Sequence, residues 1–416
     1  IRDRGRTAAL WICAMALSGC ASAVASDAPA PIVVTQATLD QCLETLATQA
    51  IKADVSTAAF RLRTNNLKPD PAVINSLNFQ PEFISSVADY LKSAVSDQRV
   101  TTGRAMLVRH AELLTSLEEK YGIPREVLTA VWGIESNFGQ NFGKRSVVQS
   151  LATLACHGRR QAFFRRELFA TVQLLEAGHV NPDKLVGSWA GAFGHTQFMP
   201  TTFLTRAVDY DGDGRSDLVE NLGDALASTA NYLKVSGWQP GLPWGIEVTA
   251  PPAGVNATSD SRTTRKPLSA WRDLGIRGID QPAMRRIDAL PGDAAAALIR
   301  PADNAGPTLL VLRNFDAIYA YNPSVKYSLA VAHLSDRLAD RPGFIVPWPD
   351  VGAPLTLEER RELQALLLGR GHRIGKIDGI LGSRTRAAIR IERGRMNNPN
   401  LPGQRPVLEA LRQQPR

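Results

Sequence analysis

The chain predicts a mainly α protein, α+β in detail, with a small α+β insertion and a C-terminal three-helix module. Three observations predict it. Apolar residues recur at helical spacing from Leu39 to about Gly237. Pro240, Pro243, Pro251 and Pro252 then break the pattern, and short strand-like runs replace it up to about Leu312. Pro342, Pro347, Pro349 and Pro354 next mark a stiff linker, after which a separate set of helix signals begins.

The first residues have the look of a targeting segment. Arg2, Arg4 and Arg6 give a basic start, and Ala8 to Leu17 is apolar but too short to span a bilayer. Leu17-Ser18-Gly19-Cys20 fits a bacterial lipobox, in which Cys20 is lipidated after cleavage. Ala21-Ser22-Ala23 and Ala23-Val24-Ala25 offer ordinary signal peptidase an alternative, which would leave a soluble exported protein. Residues 1–20 are thus read as a signal peptide and 21–37 as a Pro/Ala-containing tether. No other segment approaches the ~20 apolar residues of a membrane helix.

Amphipathic helical stretches follow near 38–50, 80–96, 103–121, 124–136, 160–178 and 222–236. The insertion spans about 238–315, with strand-like runs at Gly245-Ile246-Glu247-Val248 and Pro307-Thr308-Leu309-Leu310-Val311-Leu312. Helix returns from Tyr327 to Arg337 and closes a domain over 38–345. The linker is 346–354 and the last module 355–413. There, Thr356 and Glu359 form a capping box ahead of a helix carrying Leu363, Leu366 and Leu367. Gly371 ends that helix. A second runs through Ile389 and a third near Val407 to Leu411.

The net charge of +8 suits an anionic partner, but no basic stripe or nucleic-acid motif is present, so nucleic acid is set aside. Of four cysteines, Cys13 lies in the leader and Cys20 at its cleavage site. Cys42 and Cys156 remain, as a disulfide in an oxidising compartment or as two buried thiols. Their spacing matches no zinc or CxxC pattern.

Two segments carry chemistry. After Pro124, the positions Leu128, Val131, Trp132 and Glu135 fall on one helical stripe, which places a carboxyl on the buried face. Burial disfavours the charged form, so such a carboxyl retains a proton, as a general acid for glycoside cleavage must. The plainer alternative is a helix-end glutamate reaching solvent or an arginine. The second segment, Gly187-Ser188-Trp189-Ala190-Gly191-Ala192-Phe193-Gly194-His195-Thr196-Gln197-Phe198-Met199-Pro200, combines small residues, the flat faces of Trp189, Phe193 and Phe198, and short polar tips. That composition describes a ligand cleft, or an ordinary buried turn.

Asp209-Tyr210-Asp211-Gly212-Asp213-Gly214-Arg215-Ser216-Asp217-Leu218-Val219-Glu220 fits the twelve-residue calcium loop. Carboxylates stand at positions 1, 3, 5, 9 and 12 and glycine at 6, and Arg215 at position 7 would give its carbonyl. Asp-Gly turns are also common on surfaces without an ion.

Together with Tyr321-Asn322-Pro323-Ser324-Val325-Lys326-Tyr327, these motifs resemble the lytic murein transglycosylases of the membrane-bound B type, from roughly Leu39 to Leu411. The resemblance implies a lysozyme-like helical catalytic domain that cuts the β-1,4 bond between N-acetylmuramic acid and N-acetylglucosamine. It implies Glu135 as the catalytic acid and Ser188, Gln197, Tyr321 and Asn322 in the sugar subsites. It implies a structural Ca2+ held by Asp209, Asp211, Asp213, Arg215 and either Glu220 or, as is frequent in the family, the carboxylate just before the next helix, here Asp224. No organic cofactor is implied. The tail resembles a peptidoglycan-binding module, from Asp378-Gly379-Ile380-Leu381-Gly382 and Thr385, although Ile391-Glu392-Arg393 stands where Phe-Gln is usual.

Retaining and inverting glycosidases use two carboxylates. Outside the acidic loop no second one stands near these motifs, and the resemblance implies a single glutamate acting without water, leaving 1,6-anhydro ends. The expected setting is the periplasm, with a lipid anchor at the outer membrane through Cys20, glycan strands as partner and a monomeric enzyme of cell-wall remodelling. Two other readings stand beside it: a peptidoglycan hydrolase (muramidase), and a non-catalytic calcium-dependent wall-binding protein.

Overall fold

A computed structural model of the chain describes residues 34–78, 85–258, 261–302, 305–398, 401 and 403–413. Cys20 and the rest of the leader lie outside the described residues.

The first helices are α1 (Gln36–Gln49), α2 (Thr57–Thr64), α3 (Pro71–Asn78), α4 (Val87–Ala94), α5 (Asp97–Arg109), α6 (Ala111–Tyr121) and α7 (Arg125–Ser136). Serines start several of them: Ser56, Ser86 and Ser96 accept the amides of Ala59, Asp89 and Arg99. The stretch read as one helix over 103–121 is two, broken at His110, which ends α5 and precedes α6. Gly103 lies inside α5 for a packing reason, since a Cβ there would stand 2.6 Å from Leu338.

A two-stranded ladder pairs β1 (Arg145–Ser146) with β2 (Val186–Gly187) around α8 (Val147–Cys156) and α9 (Gln161–Glu176). The pattern reading missed α2, α3 and α8. Helix α8 buries Val147, Leu151, Ala152, Thr153, Leu154 and Ala155, so its polar edge is narrow. Next come α10 (Pro200–Arg206) and α11 (Leu222–Val235). The carboxylate of Glu167, 2% exposed, accepts the Thr201 amide at 3.0 Å and caps α10.

The insertion is a four-stranded antiparallel sheet with two short helices. It contains β3 (Gly245–Val248), β4 (Arg265–Pro267), α12 (Leu268–Asp273), α13 (Gln281–Asp288), β5 (Ala295–Ile299) and β6 (Thr308–Val311), in the sheet order β3-β6-β5-β4. Register pairs Ile246 with Leu310 and Leu298 with Leu310. Both faces are covered. Leu309 and Val311 enter the core beneath, while Leu310 and Leu312 pack with Trp271 and Ile287 above. That explains the unbroken apolar run at 307–312. Strands β4 and β5 were not read, because Arg265-Lys266-Pro267 is polar and Ala295–Ile299 is alanine-rich.

The chain re-enters helix at α14 (Arg313–Tyr321), three residues before the expected end of the insertion, and continues in α15 (Val325–Leu338). The helical part has two cores. One joins α4–α7, α11, α14 and α15 through residues such as Leu114, Leu128, Val131, Phe315 and Leu329. The other joins α1–α3 and α8–α10 through Leu39, Phe60, Leu151, Phe164 and Phe193. Cys42 on α1 and Cys156 on α8 are joined in a disulfide within the second. Tyr321 packs against both cores and so marks their seam.

The proline-rich stretch is docked. The Ile345 and Val346 amides each donate to Glu247 of β3 at 2.8 Å, and Phe344 packs against His333 and meets Trp348 edge-on. Beyond it, α16 (Leu357–Gly369), α17 (Ser383–Arg395) and α18 (Arg405–Gln413) enclose their own core of Leu355, Leu363, Leu367, Ile389, Val407, Leu408 and Leu411. The Thr356–Glu359 capping box is formed on both sides. Gln364 grips the 378–380 turn, accepting the Gly379 amide at 2.7 Å and donating to Asp378 and Ile380.

Candidate active site

Helix α7 is a central helix rather than an amphipathic one. Val127 through Gly133 and Ser136 are all buried, and only Ile134 and Glu135 near its end are half-buried. Glu135 is therefore less enclosed than the stripe Leu128, Val131 and Trp132 predicted. Half-burial is what a cleft-floor acid requires, since its proton must reach substrate. The helix ends abruptly. Asn137, Phe138 and Gly139 take successive positive φ values of 49, 58 and 80°, a conformation that is strained for Asn and more so for Phe. The Asn137 and Phe138 amides bond back to Gly133 and Trp132, and the Phe138 ring lies against Gly133, where a Cβ would stand 2.6 Å away.

Tyr327 of α15 donates its hydroxyl to Glu135 Oε1 at 2.6 Å. Tyr321 stacks on Tyr327, rings 6.4 Å apart and 8° from parallel, and donates to the Thr196 carbonyl at 2.6 Å. Burial, reinforced by the Glu135 charge, pushes both phenols well above their ordinary range, so they stay protonated and able to donate. Two phenols, Tyr327 and Tyr321, are thus set beside Glu135. Tyr327 stood in a quoted motif without a role. It lies 192 residues from Glu135, and no spacing rule connects positions so far apart.

The 187–200 loop meets this cluster at the Thr196 carbonyl. Ser188 Oγ accepts the Ala192 amide at 3.1 Å. Gln197 has φ 51° and donates from Nε2 to the carbonyls of Phe142 and Gly194 at 3.2 and 2.9 Å. Phe193 and Phe198 are core residues rather than sugar platforms, at 0% and 2% exposure, while Trp189 is half-buried. The loop's glycines allow backbone to meet backbone: a Cβ on Gly187 would collide with the Ala192 carbonyl. Asn322 follows Tyr321 at the end of α14 with its side chain exposed. The structure thus links Glu135, Tyr327, Tyr321 and the Gln197 loop through one chain of contacts, with Asn322 beside it. Ser188 is turned toward its own loop.

In the acidic loop, Asp209, Asp211 and Asp213 bring carboxylate oxygens within 4.8 Å of one another. Asp209 accepts the Gly212 and Gly214 amides, Asp211 that of Asp213, and Asp213 that of Arg215. The two candidate closing residues lie apart from this cluster. Asp224 is fully buried and accepts the Tyr210 and Asp217 amides at 2.8 Å, which braces both ends of the loop, and burial raises its pKa. Glu220 pairs with Lys184 at the surface.

Residues 38–336 match the family model described as transglycosylase SLT domain. The membrane-bound lytic murein transglycosylase B of Escherichia coli K12 is 30% identical over 252 residues, which cover 60% of this chain and 66% of that protein. SltB3 from Pseudomonas aeruginosa, solved in complex with NAG-anhNAM-pentapeptide, superposes with a TM-score of 0.80 at 41% identity, over 90% of this chain and 99% of that one. Escherichia coli Slt35, solved in complex with calcium, superposes with a TM-score of 0.62 at 25% identity, over 73% of this chain and 92% of that one. A lysozyme-like helical domain is the class the fold defines. The chain belongs to the SLT transglycosylase family: it is a lytic transglycosylase, an enzyme acting on peptidoglycan.

Proposed function

We propose that the enzyme cleaves the β-1,4 bond between N-acetylmuramic acid and N-acetylglucosamine and closes a 1,6-anhydro ring, with Glu135 as its single acid and base. The observation that carries this is the half-buried Glu135 carboxyl oriented by Tyr327 and set among phenols. Glu135 protonates the glycosidic oxygen as the C1–O bond breaks. The substrate's own N-acetyl oxygen stabilises the positive charge at C1. Glu135, now a carboxylate, accepts the proton of the muramyl 6-hydroxyl as O6 bonds to C1, and water is excluded by proximity. Gln197 and Asn322 orient the sugar, with Ser188 and Tyr321 completing the wall. The complex of SltB3 with an anhydro-sugar peptide supports this product class.

The converging oxygens of Asp209, Asp211 and Asp213 fit a hard cation, and we assign them, with the Arg215 carbonyl, to a structural Ca2+. Asp224 supports the loop from beneath, and Glu220 closes it only by leaving Lys184. The ion would stiffen the wall that continues through Leu218 to His195. Residues 355–413 bind glycan strands, the enzyme works as a monomer in the periplasm, and Cys20 anchors it to the outer membrane. No described helix is long and apolar enough to cross a membrane.

Digestion of purified sacculi by the parent and by Glu135→Gln tests the reading. The parent should release anhydromuropeptides, and Glu135→Gln should bind sacculi but release none. Products heavier by one water (~18 Da) would favour the hydrolase, in which water replaces the 6-hydroxyl. Equal release by both proteins would remove Glu135 from the chemistry.

A further inference from the structure

His195 was assigned no role, yet it touches several parts of the site's framework. Its ring Nδ1 accepts the indole N–H of Trp132 at 3.1 Å, one turn before Glu135. Its carbonyl accepts the hydroxyl of Ser136, the residue after Glu135, at 2.6 Å. Its amide donates to the Leu218 carbonyl of the acidic loop at 2.9 Å. The ring lies 4.8 Å from Phe142, whose carbonyl receives Gln197 Nε2. Gly139 leaves room for the ring, since a Cβ there would stand 2.7 Å from it. One residue therefore grips the last turn of α7, the strained turn after it, and the loop that carries Gln197.

We propose that His195 is a positioning residue, a ring-nitrogen acceptor whose bond to Trp132 fixes the spacing between Glu135 and Gln197 across the cleft. This rests on the reading of Glu135 as the acid and base. An acceptor at Nδ1 requires that nitrogen to carry no proton, so the ring is neutral with its proton on Nε2. The environment agrees. Burial lowers the His195 pKa to about 4, the Asp217 charge opposes that, and His110, whose ring faces the other side of Trp132, lowers it further. Hydrogen bonding to a neutral ring leaves the acid to Glu135 alone. It also gives the strained turn at 137–139 an external clamp, which such a conformation requires to persist.

The test compares two variants of the full chain on purified sacculi. His195→Phe keeps a flat ring and removes the acceptor. His195→Asn offers an oxygen near the Nδ1 position. His195→Phe should lower kcat about 10- to 100-fold, the scale of a misplaced catalytic group, with KM changed less than about threefold. His195→Asn should recover most of that loss. In 1H–15N spectra the Trp132 indole proton should move upfield in His195→Phe and stay near its parent position in His195→Asn. If His195→Phe fails to fold, Trp132→Phe removes the same bond from the other side and should show the same kcat loss. Parent-level kcat in His195→Phe or in Trp132→Phe, or equal loss in His195→Phe and His195→Asn, overturns the proposal. Glu135→Gln, run alongside, separates the two readings: activity there sinks the acid assignment, whereas an inactive Glu135→Gln with a fully active His195→Phe sinks only the positioning role.

Discussion

Glu135 and Glu392 each stand near the end of a helix, and they have opposite surroundings. Glu135, near the end of α7, is half-buried against the Tyr327 and Tyr321 phenols. Glu392, near the end of α17, is fully buried and meets Arg370 at 3.1 Å, His372 at 2.6 Å and Arg395 at 2.7 Å. Burial pulls the Glu392 pKa up, but hydrogen bonding to His372 and the charges of Arg395 and Arg370 win, and it lies below the ordinary value. Burial alone therefore does not make an acid. Cationic company favours the charged form of the deeper carboxyl, which ties α16 to α17. The shallower one accepts a phenol hydroxyl and lies nearer the surface.

The contrast breaks most sharply at the carboxylates themselves. Glu135→Gln should cut turnover by about 10³-fold or more, the upper range for a lost acid–base group, and leave the melting temperature within about 2 °C. A variant that melted early yet stayed active would invert the comparison. Glu392→Ala should do the reverse. Removing the buried carboxylate that Arg370, His372 and Arg395 share should cost about 3 kcal/mol, read as faster hydrogen exchange across α16 and α17, while activity on short soluble glycans persists. The pH dependence has a sign. Because the folded Glu392 pKa is depressed, its stabilisation is full above the ordinary value of 4.5 and is lost as pH falls through the folded value. Acid should open the module below about pH 4.5, and this sensitivity should shrink in Glu392→Ala. No acid-induced exchange in the parent would remove the ion cluster from the module's stability.

Tyr327→Phe sharpens the comparison at smaller scale. A hydrogen bond to a charged group contributes about 1.5–3 kcal/mol, so kcat should fall about 10- to 100-fold if Tyr327 orients Glu135. An unchanged kcat would mean that packing alone orients the acid. The smallest effect belongs to the acidic loop. Chelation with EGTA should lower the melting temperature by a few degrees, consistent with linkage of about 2.7 kcal/mol at 100-fold saturation. Asp211→Asn should abolish that response. A melting curve indifferent to both calcium and chelator would leave the Asp209, Asp211 and Asp213 cluster without an ion.

The sequence made some of this legible and hid the rest for physical reasons. The helical body, the capping box at Thr356 and the alternation of helix and proline are local signals, and local signals survive in one dimension. Glu135 stood out because a carboxyl interrupts an apolar run. The Cys42 and Cys156 pairing was left open by spacing alone. Tyr327 and His195 were hidden because their importance lies in partners 192 and 63 residues away. Phe193 and Phe198 were misread as sugar-facing, since an aromatic in a glycine-rich loop looks the same whether it faces solvent or core. Helix α8 escaped detection because a narrow polar edge sets its period only weakly.

The bond between Cys42 and Cys156 has a mechanical consequence. Helix α1 is the first described element, and the sequence ahead of Val34 carries a candidate anchor point. Any tension arriving along that leading segment reaches Cys42 and crosses a covalent bridge into α8, 114 residues further on. The contacts of α1 beyond Cys42 are then sheared together with α8 and cannot be unzipped one turn at a time. Chemical reduction should convert this fixed mooring into one that peels, and a pulling experiment would register the change as a lower rupture force at the amino-terminal end.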